Sequence, residues 1–240
     1  MITLVFFAIA FVYSSAGFGG GSMYLAVLSQ VTALPFFVIK LNGLINNLGV
    51  TIQSAWMKFA VLRDRKKEVT ALIVWAALPC MIFGLIEFKV AIHQLLLGIF
   101  LTLGGISILG QKFWESWIVV IPARVLRWIS FFIGSIAGLT GIGGGIYFSP
   151  ILHLSRWGKP KEIAAFTALF IAVNSFLSIV ILATRSDLTW NEVHLDWLFA
   201  VVIGGWMGSK ISISWLKQEQ VKWITGILLI FAGQQLIWQR

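Results

Sequence analysis

Two clusters of glycine are the residues of this sequence best suited to hold a ligand. They are residues 17–21 (GFGGG) and residues 141–145 (GIGGG). Three consecutive glycines predict a broken helix, since each glycine costs about 1 kcal/mol relative to alanine in a helix. The arms on either side have roughly twelve residues, too few to cross a hydrocarbon core of about 30 Å. A helix restarting after the break presents free N–H groups and a positive dipole end, so the predicted chemistry is anion binding by backbone.

Three asparagines are predicted at the depth of these breaks. Asn46 and Asn47 lie about ten residues into one apolar segment and Asn174 about twelve into another, or about 15 to 18 Å at 1.5 Å per residue. We expect Asn47 and Asn174 to form an equivalent pair that hydrogen-bonds the anion near the bilayer midplane. The alternative is that these amides only join helices. The candidate substrate-binding residues are Gly19, Gly20, Gly21, Ser22, Asn47, Thr140, Gly143, Gly144, Gly145 and Asn174.

Side chains suited to catalysis or metal binding are scattered along the sequence. His93, His153 and His194 have no second ligand at i+3 or i+4, the spacing that places two ligands on one side of a helix. No Asp or Glu lies well inside a predicted membrane span. The sequence therefore predicts no catalytic residue, no metal site and no cofactor, and it does not indicate an enzyme.

Lys40 is a basic residue close to the start of a predicted membrane helix. It is predicted about one helical turn inside the outer membrane boundary. Its ammonium group then either extends to the aqueous boundary or attracts anions toward the site, and both interpretations stay open.

The elements that position these residues are predicted to be membrane helices. Of the 240 residues, 59% are hydrophobic and only 11% are charged, and apolar runs without charge recur along the chain. Most of these runs have the length that a transmembrane helix needs, and a soluble domain would not repeat them so often. The net charge of +9 is spread in short groups between the runs. We expect these groups to orient the protein in the bilayer and not to bind nucleic acid.

The pattern along the chain occurs twice. A broken apolar segment is followed by three long ones, and residues 19–21 recur as residues 143–145 at an offset of 124 residues. The domains predicted are a first membrane repeat (1–111), an interfacial linker (112–125) and a second membrane repeat (126–240). The predicted fold class is an all-α polytopic integral membrane protein with two inverted repeats, each a broken or re-entrant helical hairpin followed by three transmembrane helices.

The distribution of basic residues distinguishes two topologies. If each broken segment crosses the membrane, the chain has eight spans, and the 18 Lys and Arg divide 10 to 8 between the two sides. If each broken segment is a re-entrant hairpin, the second repeat is inverted, and 14 of the 18 are cytoplasmic. We therefore expect hairpins whose glycine tips meet near the midplane, with the loops around Lys66 and Lys159 both in the cytoplasm.

The duplicated glycine motif resembles that of the TauE/SafE sulfite exporter family of bacterial membrane transporters. The similarity covers essentially the whole chain. The second copy, residues 137–150 (AGLTGIGGGIYFSP), is the closer match, whereas the first, residues 16–21 (AGFGGG), lacks the proline. The resemblance implies a multi-pass protein of the bacterial inner membrane that moves sulfite, organosulfonates or related sulfur oxyanions. Export is the expected direction, and a gradient of protons or sodium is the expected driving force.

Two other functions share these sequence features. An anion channel would use the same polar cavity with a continuous conducting path, and a permease for another small anion would use the same breaks. Composition and spacing alone predict only a transporter of a small anion that is embedded in the lipid bilayer.

Overall fold

The computed structural model describes residues 1–15, 17–86, 90–110, 113, 120–141, 143–155, 157–184, 193–212 and 218–238. All regular secondary structure in these residues is helical, as the predicted fold class requires. The helices are α1 (Ile2–Ser15), α2 (Gly21–Val31), α3 (Phe36–Lys58), a 3₁₀ helix (Phe59–Arg65), α4 (Lys66–Gly84), α5 (Val90–Leu109), α6 (Ala123–Thr140), α7 (Gly145–Leu154), α8 (Pro160–Ala183), α9 (Leu195–Ser212) and α10 (Gln218–Trp238). Ala16 and Ile142 of the glycine motifs, and half of the predicted linker (112 and 114–119), lie outside the described residues.

Both predicted breaks separate two helices. Gly20 caps the N-terminus of α2 with a φ of 84°, and Gly144 caps α7 with a φ of 72°. This left-handed conformation strains any residue with a β-carbon, so glycine is required at both caps. The restarted helices have only 11 and 10 residues, or about 16 Å at 1.5 Å per residue, and neither crosses a bilayer alone. The arm α6 is longer than the predicted twelve residues, because it begins directly after Pro122 and has 18 residues.

Small residues allow close helix pairs across the two halves of the chain. Gly134 and Gly138 of α6 lie against the backbone of α4, where an added β-carbon would overlap carbonyl oxygens. Gly204 and Gly208 of α9 lie in the same way against the backbone of α1. Close approach of this kind drives helix association in membranes, where lipid is as apolar as the side chains. The helix before each glycine break thus packs closely on a helix of the other half.

The helices α3 and α8 pack antiparallel. Near the start of α3, Leu41 packs in one cluster with Leu182 from the end of α8. At the opposite end, Arg65 follows α3 and its Nε lies 3.8 Å from Oε2 of Glu162, in the first turn of α8. The long central helices of the two halves therefore run in opposite directions.

Many large apolar side chains lie on the outside of the molecule. Large hydrophobic side chains are exposed on several helices, among them Val5, Ile52, Leu78, Phe132, Phe176 and Phe199. In the described residues, Phe36–Gly84 and Lys161–Ala183 are long and apolar enough to cross a membrane, while Ile2–Ser15 and Gly98–Leu109 are apolar but shorter. An apolar exterior of this extent is typical of helices that face lipid.

Candidate functional site

The two glycine breaks are connected through one asparagine of α3. The backbone N–H of Gly21, the first residue of α2, donates to Oδ1 of Asn47 at 3.0 Å. Nδ2 of Asn47 donates to Oγ of Ser175 in α8 at 2.8 Å. In α8, Nδ2 of Asn174 donates to the carbonyl oxygen of Gly143 at 3.4 Å. The structure thus brings together Asn47, Asn174 and both breaks, although they are far apart in the sequence.

The predicted glycines divide into two groups by what they face. A β-carbon on Gly19 would overlap Oδ1 of Asn47, and one on Gly21 would lie 2.7 Å from Cγ of the same side chain. A β-carbon on Gly143 would lie 3.0 Å from Oγ of Ser175 and 3.2 Å from Nδ2 of Asn47, and one on Gly145 would overlap Ile171. These four glycines are needed because α3 and α8 pass close to the breaks.

Gly20 and Gly144, the central glycines, face the hairpin arms instead. A β-carbon on Gly20 would lie 2.9 Å from Ile9 of α1, and one on Gly144 would lie 3.1 Å from Ile133 of α6. Their substitution would disturb the arms and the left-handed caps. The missing β-carbons of Gly20 and Gly144 therefore make room for these helices and not for a bound anion.

Contacts at the breaks are reciprocal between the halves. Gly17 of the first break packs on Ala164 of α8, and Gly141 of the second break packs on Lys40 of α3. Gly17 and Gly141 are related by the offset of 124 residues found in the sequence, and so are Lys40 and Ala164. Each break therefore rests on the long central helix of the other half.

The predicted equivalence of Asn47 and Asn174 is wrong. At the offset of 124 residues Asn47 corresponds to Ile171, and Ile171 faces Gly143 and Gly145 just as Asn47 faces its own break. Asn174 follows Ile171 by about one helical turn on the same side of α8, and a depth counted from the helix end does not distinguish positions one turn apart. At this equivalent position the first break faces an amide and the second faces a hydrocarbon side chain.

Several buried polar groups near the breaks have no hydrogen-bond partner among the described residues. They include Oγ of Ser22, Oγ1 of Thr167, both amide groups of Asn46 and Oδ1 of Asn174. Leaving a buried polar group unsatisfied costs about 1–3 kcal/mol. Thr140, by contrast, donates its hydroxyl to the carbonyl oxygen of Ile136 in its own helix at 2.6 Å. Ser22 is therefore the predicted hydroxyl that still has hydrogen-bonding capacity.

Lys40 lies at the second break and not merely near the membrane boundary. The half-buried side chain passes Gly141 so closely that a β-carbon there would overlap Cε of the lysine and lie 3.4 Å from its Cδ and Cγ. The sequence places Lys40 near the outer boundary because it lies about one turn after the start of its predicted helix. The 18 residues of α6 extend about 27 Å and bring the break to the lysine.

Comparisons with known proteins support one family. The family model described as "Sulfite exporter TauE/SafE" matches residues 2–236. The chain is 25% identical over 245 residues to "Probable membrane transporter protein y4hK" of Sinorhizobium fredii, covering 99% of this chain and 97% of that protein. It is 35% identical over 116 residues to "Probable membrane transporter protein YunE" of Bacillus subtilis, covering 46% of this chain and 40% of that protein. No solved structure matches the chain.

Proposed function

Since the chain belongs to the TauE/SafE family, we propose that it carries small sulfur-containing anions, sulfite or organosulfonates, out of the bacterial cytoplasm. It is a multi-pass membrane transporter and not an enzyme. The observation that carries the proposal is that both glycine breaks lie beside Asn47, together with buried polar groups that have no partner among the described residues. The substrate site lies where the breaks meet, near the bilayer midplane.

The proposed architecture is a pair of inverted repeats. It is supported by the antiparallel packing of α3 and α8, which occupy equivalent positions in the two halves. The reciprocal contacts of Gly17 and Gly141 support it as well. Transporters with inverted repeats typically place the substrate at discontinuous helices near the midplane, where helix N-termini point at anionic groups. The short helices α2 and α7 take that role here.

Contacts between two loops support re-entrant hairpins over eight crossings. Nε1 of Trp157, after α7, donates to Oε1 of Glu68 in the first turn of α4 at 2.8 Å. Arg65 lies 3.4 Å from Glu68, and its guanidinium stacks over the Trp157 ring at 5.0 Å from the centroid. Residues in contact lie on one side of a membrane, whereas eight crossings would put these loops on opposite sides.

Cysteine labelling tests this topology. Single cysteines at the exposed positions Lys66 and Lys159, with Cys80 replaced by serine, are expected to react with an impermeant reagent only from the cytoplasmic side. The reason is the contact between their loops. A cysteine at Thr3, whose hydroxyl donates to Asp196, is the control for the opposite side. Labelling of positions 66 and 159 from opposite sides would rule out the hairpins.

Recognition of the substrate is proposed to combine backbone, hydroxyl and ammonium donors. The N-terminal turns of α2 and α7 offer N–H groups and positive dipole ends. Oγ of Ser22 and Oγ1 of Thr167 are buried donors without protein partners among the described residues. Lys40 adds a positive charge at the second break. A sulfite or sulfonate group presents three acceptor oxygens, which suits donors that converge from both halves.

Flux measurements in proteoliposomes test the function. Sulfite, thiosulfate, sulfate and an organosulfonate are offered with and without a proton or sodium gradient. We expect saturable flux of sulfite or the sulfonate that the gradient accelerates, and Gly19→Ala protein serves as the control for leak. Flux that rises linearly with concentration would indicate a channel. Saturable flux confined to an anion without sulfur would indicate a permease for another substrate.

A further inference from the structure

A groove between α4 and α6 lies apart from the glycine breaks. It has a volume of about 520 Å³ and is lined by Trp75, Arg124, Arg127 and Trp128. The rings of Trp75 and Trp128 meet edge to face, with centroids 5.3 Å apart. Arg124 stands in the first turn of α6, whereas the break follows the last turn, about 24 Å away along a helix with 1.5 Å rise per residue.

The groove carries positive charge that no acidic side chain of the described residues balances. The first turn of α6 has no Asp or Glu, and no ion pair of Arg124 or Arg127 is formed within the described part of the chain. The contact of Arg127 is with its own helix, where Nε donates to the carbonyl oxygen of Ala123 at 3.4 Å. Two arginines at the N-terminus of a helix interact unfavourably with the positive end of its dipole. An anion bound between them would offset this repulsion.

Apolar residues continue from the groove along both helices. Leu78 and Ile82 of α4 are each 61% exposed, and Phe132 of α6 is 63% exposed. They stand one or two turns beyond Trp75 and Trp128, on the path from the arginines toward the middle of the membrane. A free phosphate would contact only the arginines, whereas a molecule with an anionic head and long acyl chains would use the whole surface.

We propose that this groove binds the headgroup of an anionic phospholipid. The phosphate lies between Arg124 and Arg127, the tryptophans contact the glycerol region, and the acyl chains follow Leu78, Ile82 and Phe132. Tryptophan is enriched at the headgroup level, and basic pockets between helices bind anionic headgroups. The lipid thereby holds the α4–α6 pair, which contains the first arm of the second hairpin.

Native mass spectrometry of the purified full-length protein tests the lipid site. The probes are phosphatidylglycerol, phosphatidylcholine with the same acyl chains, and inorganic phosphate. We expect phosphatidylglycerol to be retained in preference to phosphatidylcholine. The double substitution R124Q/R127Q is expected to weaken its binding about 25-fold, or about fivefold for each charge. R124K/R127K keeps the charges and is expected to keep most of the preference.

K66Q/K67Q is the matched control, since it removes two exposed charges at the start of α4 outside the groove. It is expected to leave the preference for phosphatidylglycerol unchanged. An equal loss in the control would show general surface attraction and overturn the proposal. Displacement of the lipid by inorganic phosphate at equal concentration would replace it with a free-phosphate site. Absence of any preference in the wild-type protein would also overturn it.

Discussion

Gly19→Ala is expected to reduce transport at least 100-fold and to lower the free energy of unfolding by about 1–3 kcal/mol. Gly19 does not have a positive φ, so the backbone accepts alanine without strain. The new β-carbon, however, would overlap Oδ1 of Asn47 and lie 2.6 Å from Cγ2 of Thr51. Asn47 would have to move away, which breaks its hydrogen bonds to Gly21 and Ser175. Substrate flux and thermal unfolding of the purified variant measure both effects.

Gly49→Ala is the matched control for this substitution. Gly49 lies in α3 two residues after Asn47, and a β-carbon there would meet only the ends of two side chains, Cδ1 of Leu198 at 2.9 Å and Cγ2 of Val202 at 3.4 Å. We expect near-normal transport from this variant. The double variant G19A/N47A is expected to be no less stable than N47A, because alanine at position 47 removes the overlapping oxygen. Additive losses in stability, or normal transport by G19A, would contradict the proposed contact.

Lys40→Met is expected to weaken anion binding about 10- to 100-fold, the loss typical for hydrogen bonds that involve a charged group. Methionine has nearly the same length, so it preserves the packing against Gly141 while removing the positive charge. The affinity for sulfite or a sulfonate, measured by calorimetry on monodisperse protein, reports the change. If Lys40 only attracted anions from a distance, the rate of capture would fall and lose its salt dependence.

Two substitutions control for the effects of charge and packing. Lys40→Arg keeps the positive charge and is expected to retain most of the affinity. Lys210→Met removes another basic residue of the membrane helices, one whose Nζ lies 4.0 Å from the centroid of the Trp206 ring. It is expected to leave anion affinity unchanged. Wild-type affinity in Lys40→Met, with the protein well folded, would remove Lys40 from the proposed site.

The hydrogen bonds of Asn47 suggest how the site responds to substrate. In this structure Oδ1 of Asn47 accepts the N–H of Gly21, one of the groups that we propose binds the anion. An anion at α2 would compete with Asn47 for that donor, and the amide would then be released from the break. Asn47 can therefore join helices when no substrate is bound and still take part in substrate binding. Its contact with the N–H of Gly21 is used in both roles.

The sequence alone predicted the broken helices, the all-helical fold and the repeat at an offset of 124 residues. These are local properties, because three consecutive glycines end a helix and a charge-free run of sufficient length favours the bilayer wherever the chain places it. Local properties also underlie the prediction of four candidate site residues, Gly19, Gly21, Asn47 and Gly143. Glycine and asparagine stand out against apolar neighbours in each segment.

Only the tertiary structure decided which side of each break faces the central helices. Gly20 faces the arm α1 and Gly19 faces Asn47, although they are adjacent in sequence, because their positions around the break differ. Asn174 lies about one helical turn beyond Ile171, the counterpart of Asn47, and it still contacts the second break through the carbonyl oxygen of Gly143. Lys40 contacts the second break at Gly141, which directly follows the 18 residues of α6. The direction in which a residue faces, the packing of a helix and its length depend on contacts between distant segments. Hydropathy and glycine spacing carry no information about those contacts.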